Sequence, residues 1–174
     1  MERMGPQSSA VARTPNLVAG RSRRALVALG SNLGDRELEL AAARSFLAAQ
    51  GALVAVSEVI ETDAWGRDGS PSYLNQVVDL SSCVLPWTLH AQGKQHELAR
   101  GRDDRSGVNA PRVIDVDLLV VHGTTVRSAL FCLPHPRLWR RTFLHAVLDT
   151  LPSLDEWRVE LESSGLWDLA APGR

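Results

Sequence analysis

Two periodicities divide this chain into elements. RALVALGSN (24–32) is an apolar run closed by a glycine turn and predicts a first strand. Asp35 then suits the N-cap of a helix through about Gln50, with Leu38, Ala42, Phe46 and Ala49 on one stripe. ALVAVSEVIET (52–62) predicts a second strand and YLNQVVDLSS (73–82) a third, separated by a Gly- and Ser-rich loop. Pro86 can open a helix towards Arg100, weakened by Gly93. After a polar loop, APRVIDVDLLVV (110–121) predicts a further strand, with a short hairpin partner near Val126–Leu133. A helix is expected from about Arg137, and EWRVELESSGLWDLAA reads as a strand and a terminal helical turn. Strands two and three can pair across their long loop. This order favours an α+β sheet with helices on its faces over a doubly wound parallel fold.

Length and charge narrow the function. At 174 residues, 44% hydrophobic and 22% charged, the chain suits one globular domain. Residues 1–24 hold Arg3, Arg13, Arg21, Arg23 and Arg24 against Glu2, which leaves 14 basic and 19 acidic residues beyond them. A body this acidic counts against general nucleic-acid binding. Residues 1–22 are expected to form a flexible basic extension and 23–174 a single domain. No apolar stretch approaches a membrane span, so a cytoplasmic protein is expected. Cys83 and Cys132 lack CxxC spacing and suggest neither a disulfide framework nor a zinc site.

The chemistry centres on Asp115 and Asp117, which share one face of a strand with apolar flanks. Buried carboxylates need a cationic partner. Side chains at i and i+2 on a strand stand roughly 6.5 to 7 Å apart, a spacing that can bracket two divalent ions about 3.5 to 4 Å apart. Magnesium takes one or two carboxylates together with substrate phosphates. The alternative for an isolated DxD is an aspartate pair bridged to arginines, and the buried flanks favour metal. Arg100, Arg102, Arg105 and Arg112 precede the pair. Guanidinium groups of this kind suit phosphate, although Arg100 reads better as part of a solvated loop. Strand parity sets Arg112 opposite Asp115 unless Pro111 bends the strand entry. GSNLG (30–34) lacks the Gly-Lys-Ser/Thr of a phosphate loop and reads as a turn whose backbone can approach a ligand. Tyr73 and Asn75 share a strand face, where a ring and an amide can hold a flat heterocycle. A packed tyrosine and a satisfied core amide are the plainer account of these two. His135 lies between two prolines and either meets a phosphate or caps the next helix, while His90, His96, His122 and His145 show no metal spacing.

Taken in order, ALGSNLGD, SYLNQVV, ELARGR, APRVIDVDLLV and LPHPRLWRRTF resemble the 6-hydroxymethyl-7,8-dihydropterin pyrophosphokinase family from about Ala25 to Pro152. The resemblance implies transfer of diphosphate from ATP to a pterin hydroxymethyl group, releasing AMP. It implies a ferredoxin-like, antiparallel-rich sheet in a three-layer α/β/α arrangement. Asp115 and Asp117 would hold two magnesium ions, and Arg102 and Arg112 would act catalytically by neutralising the polyphosphate. Tyr73 and Phe143 would sandwich the pterin, with Asn75 on its polar edge and Thr62 and Trp65 in contact with it. Lys94, at a position where family members often carry glutamine, would line the ATP site with Glu97, Leu118, His135 and Arg141. The partners implied are small molecules, with no nucleic acid and no membrane. A monomer is expected, with a homodimer as the alternative. A second reading keeps the fold and binds pterin or nucleotide without efficient transfer. A nucleotide-sugar transferase would need a separate nucleotide domain, for which 174 residues leave little room. A ferredoxin-like RNA-binding module would need more than 5% aromatics and a basic face.

Overall fold

The computed structural model describes residues 21–63, 69, 71–102, 111–136 and 142–163. Strands β1 (Arg23–Ser31), β2 (Ala52–Val56), β3 (Ile60–Thr62), β4 (Tyr73–Ser82) and β5 (Asp115–Val121) form one antiparallel sheet. Its order is β2-β4-β1-β5, with β3 also paired to β4. A two-stranded ribbon, β6 (Val126–Arg127) and β7 (Cys132–Leu133), stands apart from it. Helices α1 (Arg36–Ala48), α2 (Pro86–Ala99), α3 (Thr142–Asp149) and α4 (Leu154–Ser163) flank the sheet. The α+β class expected from the order of elements is therefore observed. No helix among the described residues is long and apolar enough to cross a membrane.

The apolar run of β1 is continuous because both faces of the strand are covered. Ala25, Val27 and Leu29 pack with Leu40, Ala43 and Leu47 of α1 and Leu89 of α2. Leu26 turns the other way and packs with Leu144, Val147 and Leu148 of α3 and with Leu154 and Trp157 of α4. Strand alternation thus sends successive β1 residues to two separate cores.

Several expectations need correcting in detail. The buried stripe of α1 is Leu40, Ala43 and Leu47, whereas Leu38 is 58% exposed. Both stripes are apolar in sequence. The inward stripe packs on β1 and α2, and Glu39 beside it accepts the Arg100 guanidinium from the end of α2. Asp35 caps this helix as expected, its side chain accepting from the Leu38 N–H. The second strand divides in two. Its register shifts between Leu53 and Ala55, and Ser57 then replaces regular pairing. The Ser57 hydroxyl accepts from the Val77 N–H at 2.8 Å, and the Ser57 N–H donates to the Val77 carbonyl at 2.9 Å. The C-terminal stretch starts as a helix rather than a strand. Leu154 and Trp157, one turn apart, both enter the core, and Asp155 and Glu156 suit the positive end of the helix. Gly93, a weakness for α2 by propensity, lets that helix approach β5: a Cβ there would lie 3.3 Å from Val116 Cγ1.

Candidate active site

The expected site residues gather at one end of the central strands. Gly30 on β1 is in register with Asn75 on β4 and with Asp115 on β5, and Asn75 is in turn paired with Ile60 on β3. Directly opposed residues of antiparallel strands share a face. Asn75 and Asp115 therefore stand on the same side of the sheet, separated by a residue without a side chain. A Cβ on Gly30 would lie 3.4 Å from Asn75 Oδ1 and 3.7 Å from Tyr73 Cδ1, so glycine keeps the floor between amide and carboxylate low. The Asn75 amide donates to the Thr62 hydroxyl at 2.8 Å, and Thr62 is in register with Tyr73, which joins three of the expected pterin residues into one group. Phe143 stands in the first turn of α3, the helix that packs on β3 and β4. Trp65 and Arg141 lie outside the described residues, as do Asp103, Asp104, Arg105, Asn109 and Ala110.

The cationic partners that Asp115 and Asp117 require come from three directions. Arg112 Nη1 donates to Asp115 Oδ2 at 2.8 Å, and Arg102 Nη1 to Asp115 Oδ1 at 3.1 Å. Lys94 Nζ lies 3.2 Å from Asp117 Oδ1 and 3.8 Å from Asp115 Oδ1. The strand begins only at Asp115, so parity does not govern Arg112. Pro111 has no N–H for a ladder, and Asn32 fixes the entry instead. The Asn32 carboxamide oxygen accepts the Arg112 N–H at 2.6 Å, while its own N–H donates to the Arg112 carbonyl at 3.1 Å. Its side-chain nitrogen also donates to the Pro71 carbonyl at 3.1 Å. The GSN turn is thus a clasp between two loops rather than a phosphate cradle. Asn32→Ala leaves the half-buried Arg112 N–H and the exposed Pro71 carbonyl without their side-chain partner and is expected to cost about 1 kcal/mol in urea unfolding. Faster amide exchange at Arg112 should accompany it; unchanged exchange there would show that the clasp is not what holds the strand entry.

Glu97 completes the acidic group. Its carboxylate is fully buried and lies with those of Asp115 and Asp117 so that one oxygen from each falls within 4.8 Å of the others. Helix α2 puts it there by running along the outer edge of β5. Glu97 Oε1 accepts the Val116 N–H at 2.7 Å, and Lys94 Nζ donates to the Val116 carbonyl at 3.2 Å. Side chains of a helix thereby satisfy backbone groups that a further strand would otherwise take. Glu97 also receives Lys94 at 2.6 Å and Arg102. Burial and the neighbouring Asp115 charge push the Glu97 carboxyl upward, against the pull of Lys94. Burial opposes the charge on Lys94, but Asp117, Asp115 and Glu97 outweigh it and raise that ammonium.

Other residues fall less centrally. Leu118 is buried in the core, on the side of β5 opposite the aspartates. The His135 N–H donates to the Leu119 carbonyl at 2.7 Å, just after a cis Leu133–Pro134 bond. Arg100 is not a solvated loop residue but an ion-pair partner of Glu39. His90, which has no metal spacing in the sequence, lies on α2 with Lys94 and Glu97. It stacks on Phe131 with ring centroids 4.6 Å apart, and burial together with the Lys94 charge lowers its pKa while Asp117 opposes them. Its spacing of four and seven residues from Lys94 and Glu97 was the available signal, since such positions share a helix face.

Comparison with known proteins identifies the family. The profile of the family described as 7,8-dihydro-6-hydroxymethylpterin-pyrophosphokinase matches residues 26–153. Curated relatives carry the name 2-amino-4-hydroxy-6-hydroxymethyldihydropteridine pyrophosphokinase. One from Porphyromonas gingivalis is 40% identical over 134 residues, covering 74% of this chain and 90% of the relative. One from Bacillus subtilis is 35% identical over 128 residues, covering 71% and 75%. One from Aquifex aeolicus is 33% identical over 127 residues, covering 72% and 79%. With the match spanning β1 to the start of α4, this chain belongs to the 7,8-dihydro-6-hydroxymethylpterin-pyrophosphokinase family.

Proposed function

We propose that this protein transfers diphosphate from ATP to the hydroxymethyl group of 6-hydroxymethyl-7,8-dihydropterin, forming the pterin diphosphate and AMP in folate biosynthesis. The observation that carries this reading is the in-register row Asn75–Gly30–Asp115, which sets a polar platform for a ring beside a cluster of carboxylates. The pterin hydroxymethyl oxygen attacks the β-phosphorus of ATP. The bond from that phosphorus to the α,β-bridging oxygen breaks, AMP departs with the electron pair, and the hydroxyl proton is lost.

Asp115 and Asp117 hold magnesium in this reading, with Glu97 beside them. Their fit rests on the donor set: oxygen ligands only, two of them on side chains that are 14% and 17% exposed and so reachable by a hydrated ion. Bound there, two magnesium ions would supply charge neutralisation for the polyphosphate and for the attacking oxygen. Arg102 and Arg112 reach the phosphates from the same carboxylate they now share and offset negative charge as the bond breaks. Tyr73 and Phe143 stack the pterin, Asn75 and Thr62 hydrogen-bond its edge, and Trp65 joins them. Lys94, Glu97, His135 and Arg141 line the ATP side. The antiparallel sheet with helices against both faces is read as a three-layer α/β/α fold of ferredoxin-like type. A cytoplasmic location suits an enzyme that draws on ATP.

The test is incubation with ATP, magnesium and 6-hydroxymethyl-7,8-dihydropterin, with AMP and pterin diphosphate measured together. Equimolar formation of the two is expected. AMP no higher than in a blank without protein would overturn the catalytic reading and leave a binding protein.

A further inference from the structure

In the structure as it stands, the acidic cluster is already matched by cations from the chain. Among the described residues, Glu97, Asp115 and Asp117 face Lys94, Arg102 and Arg112, three carboxylates against three basic side chains. Lys94 is the member that spans all three acids. Its Nζ lies 2.6 Å from Glu97 Oε1, 3.2 Å from Asp117 Oδ1 and 3.8 Å from Asp115 Oδ1. It also donates to the Val116 carbonyl at 3.2 Å. A compact ammonium with oxygen partners at these distances occupies the same kind of environment that a divalent cation seeks.

We infer that Lys94 is a resident counter-ion of the acidic cluster, which must be displaced for a divalent cation to bind and which thereby makes metal binding dependent on nucleotide. Without nucleotide, an entering metal meets carboxylates already neutralised and strands the Lys94 ammonium, which is only 31% exposed, in a partly dehydrated place. With nucleotide, the polyphosphate brings new anionic oxygens. The displaced ammonium and the two guanidinium groups can pair with those oxygens, so metal and nucleotide assist each other's binding. The role belongs to Lys94 rather than to the arginines. Lysine carries a point charge on a flexible stem with four carbons, whereas each guanidinium is a planar fork better suited to stay on a carboxylate or phosphate.

This inference rests on the metal reading given above, and the experiment separates the two. Mn2+ binding to the full chain is measured by the loss of the free-ion electron paramagnetic resonance signal, with and without a non-hydrolysable ATP analogue bridged by methylene between the α- and β-phosphorus. In the unaltered protein, the analogue is expected to tighten Mn2+ strongly. In Lys94→Met, which keeps the stem and removes the charge, nucleotide-free Mn2+ affinity should rise by about tenfold or more, and the gain from the analogue should shrink. Lys94→Gln retains a donor for the Val116 carbonyl and should give the same direction, which guards against a folding defect in the methionine variant. Equal nucleotide-free affinity in all three proteins, with metal bound in the ternary complex, would overturn the role of Lys94 alone. No Mn2+ binding to any of them, even with the analogue, would overturn the metal reading and this inference with it.

Discussion

Asp117→Ala is expected to lower kcat for diphosphate transfer by about 10³-fold or more while leaving pterin affinity nearly unchanged. Asp117 lies on the face that also carries the Asn75–Gly30–Asp115 row, and its carboxylate accepts from Lys94 at 3.2 Å. Removing it takes away a proposed metal ligand and leaves Tyr73, Asn75 and Thr62 in place. Lys94 keeps Glu97 as a partner, so the fold should tolerate the change. Asp115→Ala should be as severe in turnover and less clean in interpretation, because Arg102 and Arg112 both lose an acceptor. Single-turnover AMP formation and pterin titration by fluorescence would separate the two effects. Near-normal kcat in both variants would rule out the metal assignment, whatever the pterin result.

The largest loss of stability is expected from Asp79, a residue far from this chemistry. It lies on β4, and its side chain has no exposure to solvent. Its carboxylate accepts from Arg24 through Nε at 2.8 Å and through Nη2, from the Ser153 hydroxyl at 2.6 Å and from Trp157 Nε1 at 2.8 Å. The Arg24 guanidinium in turn lies 5.7 Å from the centroid of the Trp157 ring. One carboxylate thus ties β1 and β4 to the start of α4. Asp79→Ala would leave four donor atoms on three side chains without their acceptor and is expected to cost about 3 to 5 kcal/mol in denaturant unfolding, lowering Tm accordingly.

Burial would push the Asp79 carboxyl upward, but the hydrogen bonds from Arg24, Ser153 and Trp157 outweigh it and hold the group below its ordinary value of 3.8. The unfolded chain therefore takes up this proton at higher pH than the folded protein does. The stabilisation is complete above the ordinary value and is lost as pH falls through the lowered folded one. Unfolding free energy measured from neutral pH into the acid range should fall less steeply below about pH 4 in Asp79→Ala than in the unaltered protein. Parallel acid limbs in the two proteins would show that Asp79 is not the group responsible.

Local patterns carried much of this protein in advance. The third strand was readable at Tyr73–Ser82 because Tyr73, Val77 and Val78 favour a strand and loop residues precede them. Asp35 and Pro86 marked the starts of α1 and α2 because caps and first-turn prolines act over three or four residues. The need of Asp115 and Asp117 for a cationic partner also followed from the sequence, since the cost of a buried carboxylate depends only on its apolar surroundings. What depended on distant residues was not readable. Which apolar stripe of α1 turned inward was decided by the packing of Leu40, Ala43 and Leu47 on β1 and α2, partners distant in the chain. Arg112 was placed by Asn32, 80 residues earlier, and not by strand parity. Asp79 looked like one polar residue in a strand until Ser153 and Trp157, 74 and 78 residues on, supplied its donors.

The same division applies to the cations that meet the two aspartates. Sequence alone determined that a cation belongs there and that arginines stand near in the chain. Only the tertiary structure decided that Lys94, on a helix 23 residues before Asp117, spans the acids. Periodicity reports which side of an element is buried, but not which side of a neighbouring helix reaches the edge of a strand. That was set by the close approach of α2 to Val116 at Gly93.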